Sequence, residues 1–154
     1  MKTIYITIAI ILHLISVVIW VGGMFFAHTA LRPAATSLST ELRIPLWGRI
    51  FEKFFPWVWT AVLIIFVTGY SVLFLVFTSF KDASPYVHAM IGLGNLMSLL
   101  FFYLWFFPYQ SFRTALATKD LATAGFHQTR IRYIITINLV LGLITIVVAV
   151  IGHW

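Results

Sequence analysis

No cysteine occurs anywhere in the 154 residues. Disulfides, thiolate metal sites and thiol catalysis are therefore excluded. Carboxylates are almost as scarce: aspartate and glutamate total 4, against 10 lysines and arginines. Glu41, Glu52, Asp82 and Asp120 all fall in segments expected to be connections or turns. Acid–base hydrolysis by a close carboxylate pair is not expected. The sequence holds no glycine-rich phosphate loop, no serine–histidine–aspartate arrangement, no convincing internal repeat and no low-complexity segment. Charged residues make up only 9%. The net charge of +6 sits at the ends of apolar runs, so it does not point to nucleic acid.

Apolar residues fill the space that charge leaves, at 62% of the chain. That composition belongs to a membrane protein, whose first partner is lipid. Four apolar runs, at about 4–31, 56–80, 86–107 and 131–151, are each long enough to cross a hydrocarbon core of about 30 Å. The first is longer than a signal-peptide core and is kept as a mature helix. The expected fold is all-α: an integral-membrane, four-helix antiparallel bundle forming one transmembrane domain over residues 1–154. Residues 34–55 read as a polar, amphipathic connection, with a short helix lying on the membrane through Pro45, Trp47, Phe51, Phe54 and Phe55. Pro56, Trp57 and Trp59 would then open the second span. Residues 109–129 read as a second polar connection.

Arg32, Arg43, Arg49, Lys53, Arg113, Lys119, Arg130 and Arg132 follow the first and third spans, whereas only Lys2 and Lys81 lie opposite. The positive-inside rule places those connections in the cytoplasm and both termini outside, in a bacterial-type inner (plasma) membrane. Thr60, Thr68, Gly69 and Ser71 in the second span suit close helix contacts, and a homodimer is expected from them.

His13 lies near mid-depth of the first run, where an ionisable side chain is costly and is read as functional. Helical spacing places Ser16, Val17, Trp20, Gly23, Met24 and Ala27 on its face. An imidazole beside small residues suits a flat cofactor held by an axial nitrogen. It equally suits a packing seam with a neutral histidine bonded to a neighbouring helix, and the stretch alone leaves both open. The other histidines are His28, His88, His127 and His153, and surface roles are expected for the last two. The third span carries a stripe of His88, Gly92, Asn95, Ser98 and Leu99. Ordinary packing is expected of Met90 and Met97, and an interhelical hydrogen bond of Asn95.

His13, Trp20 and Gly23 resemble the first helix of the HemJ-type membrane protoporphyrinogen oxidases. Those are four-helix b-haem proteins with a ligating histidine on that helix. The run Tyr86-Val87-His88-Ala89-Met90 is similar to that family's aromatic–apolar–His–x–Lys run, except that Met90 replaces the lysine. Arg130-Ile131-Arg132, Asn138 and Leu141-Gly142-Leu143 look more like the wider CopD-like group of small membrane proteins. So does His13 to Pro33. The HemJ-type resemblance implies haem b on His13. The family's proposed second-ligand position falls on Met90; because imidazole is a strong axial donor, His88 is the expected second ligand, with Met90 the alternative, and Ser16, Trp20, Gly23 and Gly92 would lie against the ring. By count His13 is roughly 10 Å deeper than His88. The implied function is electron transfer or porphyrinogen oxidation, with a quinone or porphyrin as partner. Met90 at the lysine position favours electron transfer over the oxidase. The CopD-like resemblance implies copper transport through histidine and methionine ligands. A cofactor-free structural bundle is the third reading.

Overall fold

The computed structural model describes residues 1–77 and 80–152, and His153 lies outside them. Four long helices make up the chain: α1 (Lys2–Ala35), α2 (Thr40–Val76), α3 (Pro85–Ala117) and α4 (Leu121–Gly152). All four are long and apolar enough to cross a membrane. Each packs antiparallel to its chain neighbour. His13 of α1 meets Thr68 of α2, and Gly23 meets Phe54. Phe51 of α2 meets Phe112 of α3, and Trp59 meets Phe102. Met97 of α3 meets Asn138 of α4, and Tyr86 meets Gly152. Val21 of α1 meets Gly142 of α4, which closes the ring of four.

The helices overrun the expected spans at one end. Residues 40–55, expected to lie flat as a connection, are instead the first part of α2, with Pro45 and Pro56 inside it. The reason is visible in the packing. Phe51, Phe55, Val58 and Val62 are all buried, at helical spacing on either side of Pro56. A continuous buried face outweighs one lost backbone hydrogen bond. The 37 residues of α2 extend roughly 55 Å at helical rise, well beyond a hydrocarbon core of about 30 Å. Glu41 and Glu52, expected in a connection, are exposed residues of this extension.

The same happens in α3, which passes Pro108 in a π-helical turn over Trp105–Tyr109. Gln110 Nε2 donates to the Trp105 carbonyl oxygen at 3.2 Å, so the widened turn keeps that carbonyl partnered. In α1, two π turns at Val18–Gly22 and Ala27–Leu31 carry the helix past Arg32-Pro33. Helix three therefore continues to Ala117 and helix four starts at Leu121, so most of the expected 109–129 connection is helical.

An aromatic core sits toward this overrun end. Phe55 stacks on Phe51 at 5.1 Å between ring centres. It meets Phe101, Trp105 and Tyr109 edge-on. Phe112 is wholly buried and edge-on to Phe51. Outward positions such as Leu14, Val18, Leu63 and Val147 are exposed, as lipid-facing positions of a spanning bundle are.

The α3–α4 turn takes only three residues. The amide of Asp120 donates to Ala115 O at 2.9 Å and that of Lys119 to Leu116 O at 3.1 Å. This is a Schellman closure, with Lys119 at φ 57°. Asp120 then caps α4, its Oδ1 accepting the Thr123 amide at 3.0 Å. Hydrogen bonds from Thr123, side chain and backbone, hold the Asp120 carboxyl below the usual range. Its stabilising contribution is present above the usual carboxylate pKa and is lost as pH falls through the lowered one. The left-handed position costs a non-glycine residue about 1 kcal/mol or more. Lys119→Gly is therefore expected to raise stability by about 1 kcal/mol, measured by thermal unfolding in detergent. An unchanged or lower midpoint would show that Lys119 is not strained there.

Candidate metal site

His13 lies on the buried side of α1 together with Ser16, Trp20 and Met24. Its Nδ1 is 3.0 Å from Thr68 Oγ1 on α2. The Thr68 hydroxyl donates its proton to Ile64 O at 2.6 Å, so its oxygen is left to accept. The network thus assigns the imidazole proton to Nδ1 and the lone pair to Nε2. A ligating histidine is normally held in this way, its other ring nitrogen donating to a fixed acceptor. Gly69, one residue on, makes the room: a Cβ there would stand 3.3 Å from His13 Cε1. Thr68 and Gly69, expected to serve contacts between copies, are thereby engaged with His13 inside one chain.

The rest of the His13 stripe is occupied with packing. Ser16 donates to Leu12 O at 2.9 Å. Trp20 is buried edge-on to Phe101, with ring centres 6.2 Å apart. Gly23 lies so close to the Phe54 ring that an added Cβ would clash with Phe54 Cζ. The small residue admits a phenyl ring of α2.

His88 is placed differently. It lies in the first turn of α3, its Nδ1 3.2 Å from Ser84 O, with its ring edge-on to Phe80 at 4.5 Å. Gly92 faces open space, with no atom within 4 Å of a Cβ built on it. Met90 is half-buried on the same helix. Among the described residues, no hydrogen bond or ring contact joins His13 to His88. Nor do three histidines, aspartates or glutamates gather into a metal cage. Asn95 makes the expected interhelical bond, to Tyr70 Oη at 3.3 Å, and Met97 is packed in the core.

Three features of the structure were not expected from the sequence, the packing of Asn138 among them. Asn138 is buried on α4 and donates to Met97 O at 3.1 Å, while its Oδ1 is buried without a partner. It lines a small cavity of about 30 Å³ together with Trp20 and Met24. His127, expected at the surface, is half-buried within α4, edge-on to Phe126, and its Nδ1 is buried without a hydrogen bond. At the overrun end a cavity of about 460 Å³ opens between α1, α2 and α4. Only the arginine-rich sequence around it gave a sign of its presence.

Residues 48–151 match the family model described as copper resistance protein D. No curated protein and no solved structure shows significant similarity to the chain. The match takes in most of α2, all of α3 and nearly all of α4, including Thr68, Gly69 and Asn138. It covers more than half of the sequence, and this four-helix membrane protein belongs to the copper resistance protein D (CopD) family.

Proposed function

We propose that this protein handles copper within the membrane and binds the ion through Nε2 of His13. The family match over residues 48–151 is the observation that carries the copper reading; His13 lies before that match and is assigned from its own geometry. The chemistry of the interior supports it. The helices bury two thioethers, Met24 and Met97, and orient one imidazole, while all four carboxylates lie at the ends. Neutral, soft donors suit monovalent copper. A hard divalent cation would need carboxylates and would cost far more to desolvate. Copper takes the place of the haem b implied by the HemJ-type resemblance. Electron exchange with a quinone or porphyrin has no part in it.

The ion is cargo or a held ligand, and the chain's own contribution is orientation. Thr68 fixes the ring and its tautomer, and Gly69 leaves room for it. In a copper(I) competition titration of the detergent-solubilised protein, the wild type is expected to bind and His13→Ala to lose binding. Thr68→Val, which removes the acceptor, is expected to weaken it by about 10- to 100-fold, whereas Thr68→Ser keeps it. Copper binding by His13→Ala equal to that of the wild type would overturn the assignment.

Orientation follows from charge. We propose a bacterial-type inner membrane as the location, with the overrun end in the cytoplasm. That end carries Arg32, Arg43, Arg49, Lys53, Arg113, Lys119, Arg130 and Arg132, against Lys2 and Lys81 at the other. Reporter fusions at the C terminus are expected to read outside the cytoplasm. A cytoplasmic reading would reverse the topology.

A further inference from the structure

The cavity of about 460 Å³ at the overrun end is cationic, and nothing in the copper reading uses it. Three arginines from three helices line it: Arg32 at the end of α1, Arg43 near the start of α2 and Arg132 on α4. Arg32 and Arg43 both repel Arg132. No carboxylate is among the lining residues, whereas His28, Gln128 and Thr129 are. His28 Nδ1 is 3.4 Å from Thr136 Oγ1 across the α1–α4 seam, so polar groups from facing helices form part of the wall, and Ile44, Trp47, Phe51 and Ile135 form the apolar rest. Gathering like charges in one concave space is unfavourable unless a counter-charge enters. A bare copper ion would be repelled here, so this cavity is not its site.

We propose that the cavity binds a phosphate-bearing anion. Guanidinium groups present paired N–H donors that match phosphate oxygens, and hydroxyl and amide groups complete the shell. The volume falls within the usual range for ligand pockets, about 300–1,000 Å³, larger than inorganic phosphate alone requires. The phosphate belongs either to a small soluble molecule or to an anionic lipid headgroup at the membrane surface.

The test uses the full-length protein in detergent and in lipid nanodiscs, followed by thermal unfolding. In detergent, inorganic phosphate is added at constant ionic strength against chloride. In nanodiscs, phosphatidylcholine is compared with phosphatidylcholine containing phosphatidylglycerol. A saturable rise in unfolding temperature with inorganic phosphate assigns a soluble phosphate. A rise only with phosphatidylglycerol assigns the headgroup. In either case Arg132→Gln and Arg43→Gln are expected to weaken the effect by about ten-fold. Arg113→Gln, on the exposed surface over Tyr109, leaves it unchanged. Without added anion Arg132→Gln is expected to unfold no earlier than the wild type, because it relieves repulsion. A merely structural arginine would give earlier unfolding. No saturable shift with either probe, or an equal shift in the arginine variants, would overturn the proposal.

Discussion

In hydrocarbon, a backbone amide or carbonyl without a partner has no water to turn to. That constraint shapes most of this structure. It explains why α3 widens into a π turn at Pro108, which keeps the Trp105 carbonyl partnered, and does not stop there. It also explains where the hydroxyls go. Ser16, Thr60, Ser98 and Thr145 each donate to the carbonyl four residues earlier on their own helix. Such bonds satisfy a polar group locally and ask nothing of a neighbour. Thr68 does the same toward Ile64, and its oxygen also accepts from a histidine on another helix. One side chain thus joins the helical ladder to the one ionisable group deep in α1.

Association of the helices rests on close fit, since lipid is as apolar as the side chains. Large groups press into the places where small ones leave room. Phe54 lies against Gly23, Val21 and Met97 against Gly142, and the His13 ring against Gly69. Where the helices overrun the membrane, a cluster of aromatic rings takes over. The cationic cavity lies between these extended helix ends, so the same overrun that buries Phe51 and Phe112 also brings three arginines together.

The fold class was legible because apolar runs of membrane length are a strong signal. The inward face of α1 was legible from spacing alone, and so was the partnering of Asn95. Helix ends were not. Proline and amphipathic character in 34–55 imitated a boundary and a surface helix, and only the buried face across Pro56 shows that the helix continues. The signal at the other turn was present in Thr118-Lys119-Asp120, a polar triplet ending in a helix-capping aspartate, followed by an unbroken helical pattern. His13 could be singled out by depth, but its partner could not. Thr68 lies 55 residues away, and nothing local marks it apart from other hydroxyls. Asn138 was noticed only for resemblance, since a lone asparagine in an apolar run does not say which carbonyl it will reach.

Copper and haem iron would both use the lone pair that Thr68 fixes on His13, so geometry at that nitrogen is common to the two. What separates them is the family to which the chain belongs, together with the packing of Trp20 on Phe101 and of Gly23 on Phe54, which fills the stripe where a ring would lie. The most direct measurement is the metal content and visible spectrum of the purified protein, with and without dithionite. Bound copper with no Soret band, lost in His13→Ala, is the expected result. A haem Soret band that shifts on reduction and disappears in His13→Ala would contradict it and return haem to the centre of the bundle.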